Sequence, residues 1–82
     1  KYHIWYYSQN GRLIYAEEKE KLEYPYKFYK YSVSGGLVNM GVRVSEDETF
    51  IYTSQGRLIA HWLKDKAFDE YGNVVMTRKY LK

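Results

Sequence analysis

The chain has 82 residues, carries 13 Lys and Arg against 10 Asp and Glu for a net charge of +3, and contains no Cys. That excludes disulfides, thiolate metal sites and a cysteine nucleophile. The length fits one domain, 1–82, burying roughly 60–70% of the surface its unfolded form exposes. No apolar run approaches the ~18 residues of a membrane-spanning helix, and a chain that is 20% aromatic, with 11 Tyr, is not expected to be disordered.

In chain order, Trp5-Tyr6-Tyr7 runs into Ser8-Gln9-Asn10-Gly11, and Arg12-Leu13-Ile14 leads back, predicting strands over 2–8 and 12–17. Asn10-Gly11 suggests a two-residue type I′ turn. That turn would set Gln9 opposite Arg12, Tyr7 opposite Ile14 and Trp5 opposite Ala16 on one face, with Ser8 opposite Leu13 and Tyr6 opposite Tyr15 on the other. Glu17 to Leu22 is compatible with one helical turn, too short to hold alone. Pro25 ends it and begins an extended run over 26–33. Strands follow over 37–44, 49–53, 57–63, 66–69 and 74–81, and Gly41 inside the fourth suggests a bulge or sharp bend.

A short phrase organises these elements: Gly, any residue, Leu or Val, then Ile or Val. It occurs as Gly11-Arg12-Leu13-Ile14, Gly35-Gly36-Leu37-Val38, Gly56-Arg57-Leu58-Ile59 and Gly72-Asn73-Val74-Val75. Polar turn formers precede each copy, with aromatic or β-branched residues before those. Glycine reaches the positive φ of tight hairpins, and the branched pair opens the returning strand. Tyr7 to Ile14 and Tyr52 to Ile59 align without a gap, through one shared turn solution or an internal duplication. The spacing is too irregular for a strict solenoid. The string Trp5-Tyr6-Tyr7-Ser8-Gln9-Asn10-Gly11-Arg12-Leu13 resembles one unit of the hairpin repeats of MORN-type and related bacterial antitoxin proteins, which share an aromatic pair, a turn Gly, a basic residue and Leu. The resemblance covers the first hairpin and part of the third, lacks the regular period and second Gly of those repeats, and carries no functional residue over.

The expected fold is therefore all-β: a small antiparallel meander of about eight short strands in four hairpins, curled into a barrel or a strongly bent sheet. The alternative is an open sheet completed by dimerisation. Alternation within the strands does not separate apolar from polar. In 57–63, Leu58, Ala60 and Trp62 lie on one side and Ile59, His61 and Leu63 on the other. A sheet with one wet face alternates cleanly, so both faces here need cover. Along 74–81, Val74, Met76, Arg78 and Tyr80 oppose Val75, Thr77, Lys79 and Leu81, as in an edge strand guarded by charge.

Catalysis finds little support. His3 and His61 stand in no metal-ligand spacing, and His61 reads as a half-buried strand histidine with one hydrogen bond. The serines fall near turns, where hydroxyls cap backbone groups. Gly35-Gly36 lacks the Lys-Ser/Thr and helix of a phosphate loop. No enzyme activity, metal or other cofactor is expected.

Acidic charge concentrates in Ala16 to Glu23 and in Glu46-Asp47-Glu48; outside them the basic residues face only Asp65, Asp69 and Glu70. In Tyr24-Pro25-Tyr26-Lys27-Phe28-Tyr29-Lys30-Tyr31 rings and lysines interleave as in a single-strand nucleic-acid platform, and Arg12, Arg43 and Arg57 would extend its basic surface. Alternation makes one set of those rings core. A protein-binding module explains more, because Tyr and Trp are enriched at interface hot spots and self-association would cover the surplus apolar surface. Trp5, Tyr7, Tyr29, Tyr31 and Trp62 are the expected contact rings, with Arg12 and Arg57 beside the turns. The expected partner is a protein or a second copy, with nucleic acid the alternative and no membrane. The Cys-free composition suits a reducing cytoplasm, the compartment expected here, and equally a secreted domain stable without disulfides. Lys1 to Trp5 does not read as a secretory signal, and the first residue is not Met, which leaves room for a segment upstream.

Overall fold

The computed structural model describes residues 1–79. Its strands are β1 (Tyr2–Tyr7), β2 (Leu13–Lys19), β3 (Tyr26–Ser32), β4 (Leu37–Ser45), β5 (Glu48–Thr53), β6 (Leu58–Leu63), β7 (Lys66–Phe68) and β8 (Val74–Thr77). All pair antiparallel in one sheet whose spatial order is the chain order. β1 and β8 are not neighbours, so the sheet is open: a strongly bent layer and not a closed barrel. Residues 80–81 of the expected last strand lie outside the described residues.

The four glycine phrases make the same turn. Gly11 N–H donates to the Ser8 carbonyl at 3.0 Å and Ser8 N–H to the Arg12 carbonyl at 2.8 Å, and the pattern recurs from Ser32, Thr53 and Asp69. A register shift follows each turn, placing Tyr7 opposite Leu13, Tyr31 opposite Leu37, Tyr52 opposite Leu58 and Phe68 opposite Val74. This is a type I turn closed by a left-handed glycine in a bulge, and it corrects the expected type I′ turn. Tyr7 faces Leu13 and not Ile14, while Trp5–Ala16 and Tyr6–Tyr15 pair as expected. The Ser, Thr or Asp that opens the turn has its own task. Its side-chain oxygen accepts the N–H four residues on, in Ser8–Arg12 at 3.2 Å, Thr53–Arg57 at 3.1 Å and Asp69–Asn73 at 2.9 Å.

Because the meander reverses at every strand, all four glycine turns lie along one rim. The other rim carries the unlike connections 20–25, 46–47 and 64–65. The helical turn expected near Glu17 does not form. Glu17 pairs with Ile4 on one side and Lys30 on the other, so its backbone groups are taken by the sheet. Glu20 N–H extends that ladder to the Lys27 carbonyl at 2.9 Å.

Cross-strand partners and alternate residues share a face. One face carries Tyr26, Phe28, Ala60 and Ala67, the buried apolar residues among those described, and is called inner below. Glu17 of β2 and Arg78, just after β8, line one cavity on it. On a flat sheet six strand spacings, roughly 29 Å, would separate them, so the layer curls inward. It does not fold onto itself: the radius of gyration is 13.5 Å, against about 12 Å for a packed chain of this length.

Gly41 does not mark a bulge. The register runs unbroken through Met40–Tyr52, Gly41–Ile51 and Val42–Phe50. The missing side chain admits the ring of Phe28, its inner-face partner on β3, and a Cβ at Gly41 would collide with that ring and with the Phe50 carbonyl oxygen.

Candidate functional site

The outer face is built from the turns upward. In each hairpin the aromatic residue before the turn and the second branched residue after it fall on neighbouring strands near the same rim. Across the sheet this gives Tyr7, Ile14, Tyr31, Val38, Tyr52, Ile59, Phe68 and Val75, ring and branched side chain alternating from β1 to β8. The branched members are all exposed, Ile14 at 49%, Val38 at 47%, Ile59 at 42% and Val75 at 49%, and Tyr7 at 58% is more so. Behind this band, Tyr29, Met40, Val42 and Tyr52 line a shallow depression of about 330 Å³. Ala16 stands between Trp5 and Tyr31 in one cross-strand row, so the indole, 55% exposed, projects beside a small residue.

The sequence-derived contact rings are thus divided. Trp5, Tyr7, Tyr29 and Tyr31 share the outer face, whereas Trp62 lies on the inner face opposite Thr49 and Ala67. Arg12 and Arg57 stand at the glycine rim, and Arg57 pairs with Glu70 of the next turn at 3.1 Å. Arg43 does not join them in a basic surface: it sits on the inner face near the far end of β4, opposite Tyr26. Ile14, Val38, Tyr52, Ile59, Phe68 and Val75 were missed as site residues. Their signal was the phrase itself, whose final branched residue always returns to the outer face.

Two histidine–glutamate pairs also lie on the outer face. His61 Nε2 meets Glu48 Oε2 at 2.7 Å while its ring stacks on Phe50 with centroids 4.0 Å apart, and His3 meets Glu18 at 3.3 Å. His61 is half-buried and has its hydrogen bond. No group of three His, Cys, Asp or Glu is placed to hold a metal among the described residues.

The inner face is aromatic and mostly cationic. Lys30 Nζ lies 4.1 Å from the Tyr15 ring centroid, Lys19 Nζ 5.2 Å from that of Tyr26, and the Arg78 guanidinium 4.5 Å from that of Trp62. Arg78 also donates to the Lys64 carbonyl at 3.0 Å. Burial, then the charge of Glu17, raises the Tyr6 hydroxyl above its ordinary value of 10.0, while Arg43 pulls the other way. A cavity of about 150 Å³ opens among Glu17, Tyr26, Arg43, Thr49, Trp62 and Arg78, over Phe28 and Ile51. No helix among the described residues is long and apolar enough to cross a membrane.

Comparison with family models, with curated proteins and with solved structures returns no match for this chain.

Proposed function

We propose that this chain is a non-enzymatic binding module whose outer face docks on a protein surface, with a second copy of itself as the first partner. The observation that carries the reading is the band of alternating rings and exposed branched side chains along the glycine rim. Monomeric proteins rarely leave contiguous apolar patches beyond a few hundred Å² uncovered. The depression beside Tyr29 and Tyr52 suits one apolar anchor side chain.

Sedimentation equilibrium at tens of micromolar tests this. A dimer is expected, reduced to monomer by Ile59→Lys or Val38→Lys with the far-ultraviolet spectrum unchanged. A wild-type chain that stays monomeric removes self-association.

A second reading is single-stranded nucleic acid on the inner face, supported by the alternation of rings and cations there. It ranks lower because Tyr26 and Phe28 are buried and lysines already cover Tyr15 and Tyr26. Titration with labelled oligonucleotides at two salt concentrations separates the readings, since phosphate contacts are strongest at low salt.

A further inference from the structure

The sheet has two open margins, and neither is defended along its own length. Among the described residues no strand covers the free side of β1 or of β8. Tyr2–Tyr7 and Val74–Thr77 contain no Pro, Lys, Arg, Asp or Glu, the residues that keep free edges apart. Inside the molecule the equivalent margins are already joined. The last strand of one hairpin meets the first strand of the next at β2–β3, β4–β5 and β6–β7, and these junctions share one register. The fourth residue after a turn glycine faces the residue that opens the following turn: Tyr15 faces Ser32, and Asn39 faces Thr53. His61–Phe68 falls one step along the same register, counted from Gly56 and Gly72.

We propose that a second copy repeats this junction, its β8 pairing antiparallel with β1 of the first. Counted from Gly72 and Gly11, the shared register sets Met76 of one copy opposite Ser8 of the other and Thr77 opposite Tyr7. Arg78 then faces Tyr6 and Lys79 faces Trp5, so no like charges stand opposite each other. The backbone is in phase for this pairing. Ser8 N–H donates to the Arg12 carbonyl at 2.8 Å and Arg78 N–H to the Asp65 carbonyl at 2.9 Å. Alternation therefore turns the N–H and C=O of Tyr7 and of Thr77 toward the free margins, where that pair exchanges two hydrogen bonds. Four residue pairs exceed the three that join β6 to β7. The contact is nevertheless small, so it is weak and fills at roughly hundreds of micromolar, above the range in which outer faces associate. Each copy offers both margins, so growth runs head to tail and does not stop at a dimer. The junction uses edges and not the outer face, so either reading can fail without the other.

The chain has no Cys, so single introduced cysteines report the junction. Tyr7→Cys and Thr77→Cys chains are mixed at high concentration and oxidised, both in an Ile59→Lys background that takes the outer face out of play. Opposed positions that exchange hydrogen bonds stand about 5.5 Å apart at Cα, within disulfide reach. The mixed disulfide is expected to exceed, several-fold, both self-linked products and a control mixture of Tyr7→Cys with Glu46→Cys. Tyr7→Cys linking mainly to itself would show β1 meeting β1, and a mixed yield no higher than the control would show collision alone; either result overturns the proposal. A second readout needs no cysteine. In Val38→Lys chains the Tyr7 and Thr77 amides should exchange with solvent several-fold more slowly in concentrated than in dilute solution, while the Ser8 amide, already bonded to Arg12, keeps its rate. Tyr7 and Thr77 rates independent of concentration would overturn the proposal as well.

Discussion

Phe28 on β3 lies across the backbone of Gly41 on β4, filling the place where a side chain would stand. Phe28 is 8% exposed, and its ring occupies the space a Cβ at Gly41 would need. Gly41→Ala is therefore expected to lower stability by about 1–3 kcal/mol through overpacking, read as a lower urea midpoint. Phe28→Leu combined with it should recover part of that loss, because the smaller side chain vacates the contested space. Equal losses in the single and double variants would refute the pairing.

Gly56 and Gly36 separate backbone from packing effects. Gly56 holds φ at +91° with open space around it, while Gly36 has ordinary backbone and Ser32 Oγ 3.6 Å from a built Cβ. Alanine at Gly56 is expected to cost about 1–2 kcal/mol from the left-handed conformation alone. Alanine at Gly36 should be close to neutral in the same urea titration.

These turns also show what the sequence made legible. Eight strands could be read because each glycine phrase stands between aromatic and branched runs, although the last ends at Thr77, short of the expected 81, and the second runs on to Lys19. The register at Tyr7 could not, because Asn10-Gly11 suits a type I′ turn as well as the observed turn one residue earlier. Ser8, Thr53 and Asp69 decide it by accepting the N–H four residues on, a role visible only after the copies are aligned by their turns. Which face turns inward was hidden, since Leu58, Ala60 and Trp62 are no more apolar in pattern than Ile59, His61 and Leu63. The surroundings of Arg43 were hidden for another reason: curvature, and not alternation, brings Glu17 and Arg78 to one cavity.

Acid should weaken the fourth turn. Asp69 is held below its ordinary value of 3.8 chiefly by the Asn73 backbone N–H, and Glu70 below 4.5 chiefly by the hydrogen bond from Arg57. Each binds its proton more weakly folded than unfolded. Their contributions are complete above those ordinary values and disappear as pH falls through the lowered ones. Carboxyl-carbon NMR titration should show Arg57→Gln returning Glu70 toward 4.5 while Asp69 stays low. Joint movement of both would mean that Arg57 acts on the whole turn.

The two tryptophans should respond differently to acrylamide. Trp5 is 55% exposed on the outer face, whereas Trp62 is half-buried beneath the Arg78 guanidinium. With Trp62→Phe, the remaining emission is expected to be red-shifted and readily quenched in dilute solution, and more protected as the outer faces associate at higher concentration. With Trp5→Phe, quenching should be weaker and independent of concentration.

The two margins of the sheet are under different constraints. Four turns of one design fix the spacing of the outer apolar band, so a single inserted residue there would rotate a ring or a branched side chain to the wrong side. At the opposite margin the linkers 20–25, 46–47 and 64–65 already differ in length, and enlarging a surface loop carries only a slowly rising entropic cost. Foreign sequence spliced between Lys21 and Glu23 would therefore be displayed at the margin opposite the glycine turns, which makes that linker the natural place for a tag or an epitope.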